Sequence, residues 1–87
     1  MFYNIFSYNF FGGLEMKEFN VTLFSRRLKE ERQFKKISQK QMAAELGILQ
    51  PAYVRLEKCK YQMSFETLVY ICQRLEISAD YLLGLTD

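Results

Sequence analysis

Histidine is absent from this 87-residue chain, which has only two cysteines, Cys59 and Cys72, and one proline, Pro51. Without His the commonest general base and the commonest zinc ligand are missing. The spacing of the two cysteines matches no metal or redox motif, and both fall inside helix-like patterns. They read as structural thiols in a reducing cytoplasm. No nucleophile–base pair and no cluster of metal ligands can be assembled, so neither an enzymatic mechanism nor a metal or other cofactor is expected. No apolar run is long enough to span a membrane, and no Lys or Arg precedes Lys17, so a secretory n-region is not expected. The expectation is a cytoplasmic, membrane-free protein, and with 49% hydrophobic residues it can bury one small core without staples.

Charge is scarce in sum but not in distribution. The net value is +2, yet residues 26–60 hold ten Lys/Arg against four acids, while both flanks are net acidic. A basic middle points to an anionic partner for one face, nucleic acid first, against the plainer reading of a solvated Lys/Arg surface.

Hydrophobic spacing then gives five short helices. Over 22–34, Leu23, Phe24, Leu28 and Phe34 are roughly helix-spaced, around an RRLKEER stretch of high helix propensity. Ser38-Gln-Lys-Gln41 has the form of a capping box, and Met42, Ala43 and Leu46 follow as a stripe that ends at Gly47. A third helix starts near Gln50, with Pro51 in the first turn, where its missing N–H is not needed, and with Tyr53, Leu56 and Cys59 on one face. Ser64 caps a longer helix bearing Phe65, Leu68, Ile71, Cys72 and Leu75. Ser78 caps a last one, with Leu82 and Leu83 inward and Gly84 at its end. No repeat or linker divides residues 21–87.

Two short helices joined by a Gly turn, one helix before and two after, form the helix-turn-helix arrangement. Arg32, "ISQKQMAAELGI", "YVRLE" and "SFETLVYICQRLEISADYLLG" make the stretch from Leu28 to Leu83 resemble the phage Cro and repressor-type helix-turn-helix family of bacterial DNA-binding proteins. The resemblance implies an all-α, five-helix lambda-repressor-like domain whose third helix, at about 50–58, lies in the DNA major groove. It implies that Gln39 contacts phosphate at the start of helix 2, and that Gln50, Pro51 and Arg55 face bases. Their chemistry suits that role: Gln pairs with adenine N6/N7 and Arg with guanine O6/N7. Five positions apart, Gln50 and Arg55 point about 140° apart on a helix, so the groove must wrap the face between them; Ala52 and Val54 could then meet thymine methyls. Lys40, Lys58 and Lys60, with Lys36, read as phosphate contacts or general surface. The family also pairs a glutamate at the position of Glu57 with an arginine of the first helix, here Arg32.

Three positions depart from the family pattern. Leu49 stands where Ser or Thr usually caps helix 3, at a cost of about 1 kcal/mol. Cys59 replaces the usual Gly at the end of that helix, so a changed turn is expected, and Met63 replaces a common Pro.

The resemblance and the spacing together suggest a transcriptional regulator, a repressor, that acts as a homodimer on a two-fold-related operator. Tyr81, Leu82 and Leu85 are the expected dimer surface. An antitoxin or restriction-modification controller of the same fold is a rival reading, and an adaptor that binds a protein partner and no DNA is another. Residues 1–20 read as a separate aromatic arm. Gly12-Gly13 could be encoded as a ribosome-binding sequence before an ATG at Met16, which would place residues 1–15 outside the natural protein. The alternative is a genuine arm that packs on a neighbouring subunit or forms a strand.

Overall fold

Short polar side chains set where four of the five described helices begin. In a computed structural model, which describes residues 10–11, 14–15 and 18–86, α1 spans Val21–Phe34, α2 Gln39–Leu46, α3 Gln50–Glu57, α4 Phe65–Leu75 and α5 Ala79–Leu83. Asn20 Oδ1 accepts from Leu23 N at 2.9 Å, and Ser38, Ser64 and Ser78 Oγ do the same for Gln41, Thr67 and Tyr81 at 2.9, 3.1 and 3.0 Å. Each bond satisfies one donor of a first turn that has no intrahelical partner. The capping box at Ser38 is half formed, because the Gln41 amide reaches forward to Glu45 at 3.3 Å. Leu49 supplies no cap bond to α3, and Pro51 sits in its first turn.

All five helices end the same way. A residue in the left-handed region follows each helix, at Lys36, Gly47, Cys59, Glu76 and Gly84. The next N–H then bonds back five residues, as from Ile48 N to Ala43 O at 3.0 Å and from Lys60 N to Arg55 O at 2.8 Å. This is the Schellman closure. The turn after α3 therefore keeps the usual shape with Cys59 at φ +58°, contrary to the expected change, because backbone hydrogen bonds close it whatever the side chain.

The core combines Phe24, Leu28, Ile37, Met42, Ala43, Tyr53, Ile71, Leu75 and Leu82. Three of the helix-spaced apolar residues lie outside the core. Phe34 is 79% exposed, because the buried face of α1 runs through Phe24, Leu28 and Arg32, and Phe34 points about 160° from Arg32 round the axis. Phe65 is 83% exposed at the first position of α4, beside Val69 and off the stripe of Leu68, Ile71, Cys72 and Leu75. Leu56 is half-buried outside the core, since α3 turns Tyr53 and Glu57 inward at i, i+4.

α2 packs chiefly on α3, and α1 packs on both α3 and α5. Toward the N-terminus, β1 (Phe10–Phe11) pairs antiparallel with β2 (Leu14–Glu15), Phe10 opposite Glu15 and Phe11 opposite Leu14. Met16, the expected alternative start, lies outside the described residues, as do residues 1–9 of the arm. No helix among the described residues is long and apolar enough to cross a membrane.

Candidate nucleic-acid interface

The turn between α2 and α3 is made by Gly47 in the left-handed region. Its φ of +71° is one that glycine adopts without strain and a side chain only at a cost, although a Cβ there would meet nothing within 4 Å. From that turn α3 runs with one face inward and one face to solvent. Gln50, Pro51, Val54 and Arg55 line a single shallow, open groove on the outer face. At 100° per residue the four fill the arc between Gln50 and Arg55, so the two polar residues flank two apolar ones. Ala52 is half-buried and does not line the groove, while Leu49 just before it is 78% exposed.

The inner face of α3 is fixed by one carboxylate. Arg32 Nε donates to Glu57 Oε1 at 2.7 Å and Arg32 Nη2 to Oε2 at 3.1 Å, while Nη1 donates to the Ile37 carbonyl at 2.8 Å. Tyr53 Oη donates to Glu57 Oε1 at 2.8 Å, and Gln39 Nε2 to Oε2 at 3.1 Å. Arg32 and Glu57 are 5% and 4% exposed, so α1, α2 and α3 converge on a desolvated, hydrogen-bonded ion pair. Burial alone would raise the Glu57 pKa, but the hydrogen bonds from Arg32 and Tyr53 and the Arg32 charge outweigh it, and the carboxyl is held below its ordinary range. The hydrogen bond to Glu57 raises Arg32 in turn, and burial, then the Glu57 charge, push the Tyr53 phenol well up.

A second carboxylate, Glu45, ties α2 to α4. It accepts from Arg74 Nε at 2.8 Å, Arg74 Nη2 at 3.1 Å and Tyr70 Oη at 2.7 Å. These bonds, Arg74 first and Tyr70 second, lower its pKa to about 2. Sequence reasoning missed this pair, because nothing local signals partners twenty-five and more residues away.

The basic middle of the chain is partly used up in such contacts. Arg32 is paired with Glu57, Lys35 with Glu76 at 2.6 Å, and Arg27 stacks on the Tyr81 ring at 4.1 Å. Arg26, Lys29, Lys36, Lys40, Arg55, Lys58 and Lys60 remain exposed and in no ion pair among the described residues. Arg26, Lys29 and Lys58 line a second groove with Ser25, Gln39 and Glu57. The sequence reading named Lys58 and missed Arg26 and Lys29. They stand three apart on α1, and only the packing of α1 on α3 brings them to Lys58. Gln39 lies in this groove, but its side-chain amide is engaged with Glu57. What it offers an anion is the exposed first turn of α2. Lys40 and Lys60 are exposed and line neither groove.

At the other end of the molecule one expectation is corrected. Leu82 has no exposed surface and belongs to the core, so it cannot form a subunit contact. Leu85 is 59% exposed, and Tyr81 is half-buried. Arg27 Nη1 donates to the carbonyls of Tyr81 and Thr86, the latter at 3.0 Å, and so fastens the C-terminal tail to α1. Burial raises the pKa of both half-buried thiols, which disfavours reactive thiolates. Among the described residues no group of three or more His, Cys, Asp or Glu is placed to hold a metal.

Comparison with known proteins agrees with this geometry. A family model described as a helix-turn-helix domain matches residues 25–87. Two curated proteins of Bacillus subtilis (strain 168) are similar. One, named as the uncharacterized HTH-type transcriptional regulator YqaE, is 43% identical over 61 residues, covering 70% of this chain and 53% of its own. The other, named as the uncharacterized HTH-type transcriptional regulator YobD, is 31% identical over 65 residues, covering 75% of this chain and 58% of its own. The chain thus spans little more than half the length of these relatives, and no solved structure matches it significantly. The motif residues, the five-helix architecture and these matches together place the chain in the helix-turn-helix domain family.

Proposed function

We propose that the protein is a sequence-specific DNA-binding transcriptional regulator that lays α3 in the major groove. The observation that carries this reading is the outer face of α3: Gln50, Pro51, Val54 and Arg55 line one groove while buried Tyr53 and Glu57 pin the helix to the rest of the domain. A helix held rigidly by its back presents its front with little entropy left to lose on binding. In this reading Gln50 and Arg55 read base edges, and Pro51, Val54 and exposed Leu49 meet thymine methyls. Lys58, with Arg26 and Lys29, holds phosphate beside the first turn of α2, where Gln39 and Lys40 begin the helix. Lys60 adds charge at the far end of α3.

The proposed active form is a homodimer that places two copies of α3 one DNA turn apart, roughly 34 Å, on a two-fold-related operator. Tyr81 and Leu85 are the proposed contact, and the aromatic arm is proposed to pack against the neighbouring subunit. Repression by occupying a promoter is the proposed mode of action. The names of the two relatives, HTH-type transcriptional regulators, support regulation of transcription.

Selection of bound duplexes from random DNA tests the reading. An enriched, two-fold-symmetric sequence supports it. Binding that neither enriches a sequence nor weakens with salt would favour a protein-interaction adaptor instead.

A further inference from the structure

Arg55 sits exposed on the last turn of α3, a long side chain with several rotatable bonds. Its guanidinium carbon lies 5.1 Å from the centroid of the Tyr61 ring, inside the ~6 Å range in which a ring face attracts a cation. The backbone puts the ring there. Cys59 takes φ +58°, the N–H groups of Cys59 and Lys60 bond to the Leu56 and Arg55 carbonyls at 3.0 and 2.8 Å, and the chain folds back along the last turn of α3. Tyr61 is the next residue. It is 49% exposed and no member of the core, so packing of the interior does not call for an aromatic at this position.

We infer that Tyr61 is a positioning residue for Arg55, holding the guanidinium over the outer face of α3 and so sharpening its discrimination among bases. The inference rests on the proposed role of Arg55 as a base reader. A ring face occupies none of the N–H donors of Arg, so the planar fork stays available for guanine O6 and N7. Two other arginines of the domain show the contrast. Arg32 and Arg74 are oriented by carboxylates, which take up their forks. An aromatic partner orients the group and leaves its hydrogen bonds for the ligand.

The test measures affinity of the whole chain for the duplex selected from random DNA and for random duplex. It compares wild type, Tyr61→Phe and Tyr61→Leu, each with and without Arg55→Ala. Tyr61→Leu is expected to lower the selected-to-random ratio about two- to five-fold, the effect of one exposed cation–π contact, at the base position that Arg55→Ala relaxes. Tyr61→Phe keeps the ring and should keep the ratio. In the Arg55→Ala background Tyr61→Leu should change nothing further. Thermal melting within a few degrees of wild type checks that each variant folds.

An undiminished ratio in Tyr61→Leu would overturn the inference and leave the role of Arg55 standing. Equal weakening on both DNAs in Tyr61→Phe and Tyr61→Leu would overturn it too, by making Tyr61 a phosphate contact through its hydroxyl. If Arg55→Ala itself leaves the ratio unchanged, the base-reading proposal fails and the inference falls with it.

Discussion

Glu57→Ala removes the acceptor on which three helices converge. The variant leaves Arg32, a residue 5% exposed in the wild type, without its two carboxylate bonds, and strands the Tyr53 hydroxyl and the Gln39 amide. Breaking a buried ion pair from one side costs about 3–5 kcal/mol, because an uncompensated charge stays behind. A domain of this size has roughly 5 kcal/mol or a little more in total, so the variant should stand near the edge of folding. At about 4–8 °C per kcal/mol, the melting midpoint followed by circular dichroism should fall by roughly 12–40 °C. The paired change Arg32→Met with Glu57→Leu leaves neither ion alone, and it should cost clearly less than the sum of its single changes. DNA affinity of Glu57→Ala should fall indirectly, with the folded fraction and with the loosened hold on α3. Melting of Glu57→Ala within about 5 °C of wild type, or strict additivity in the pair, would refute the reasoning.

Acid should destabilise the protein through Glu45 and Glu57. A carboxyl with a lowered folded pKa contributes stability above its unfolded value, and that contribution is lost as pH falls through the folded value; for Glu45 the window runs from about 4.5 down to about 2. Glu45→Gln should flatten the fall of melting midpoint with pH across that window, and an unchanged profile would contradict the Glu45–Arg74 contact. Lys36→Gly should stabilise the protein by about 1 kcal/mol, since Lys36 is exposed and holds φ +60° at the end of α1 where glycine is unstrained. A chemical denaturation midpoint at or below wild type would argue against strain there. Arg26→Ala should reduce the slope of log affinity against log salt by about 0.9 if Arg26 neutralises one phosphate, and an unchanged slope removes it from the interface.

How much was legible in the sequence differed between the two ends of each helix. Ser38, Ser64 and Ser78 mark their starts openly, because a hydroxyl before an apolar-periodic run has one evident use. The ends at Gly47 and Gly84 were equally plain. Those at Lys36, Cys59 and Glu76 were not, since the left-handed turn there is closed by backbone bonds that leave no mark on residue type. Phe65 looked like part of a buried stripe because hydrophobicity was read as burial, and on α1 it is Arg32 that holds an inward place while the apolar Phe34 faces out. Leu82 was assigned both to the core and to a dimer surface, and burial decides for the core.

The candidate site divides in the same way. Gln50, Pro51 and Arg55 were put forward by the family resemblance, and the structure adds that Val54 lines a groove with them. Arg32 and Glu57, which family resemblance alone put together, meet at 2.7 Å. Arg26 and Lys29 joining Lys58, Glu45 joining Arg74, and Tyr61 lying over Arg55 all depend on how helices and turns pack, which no local pattern encodes.

The central claim is that the outer face of α3 reads DNA sequence. Its most direct test is the affinity of wild type and Arg55→Ala for the selected duplex, for single-base variants of it, and for random DNA at one fixed salt concentration. The account predicts a loss of about 1–3 kcal/mol on the selected duplex, confined to one base position in each half-site, whereas Lys40→Ala weakens every sequence alike. Equal losses on selected and random DNA for Arg55→Ala would contradict it.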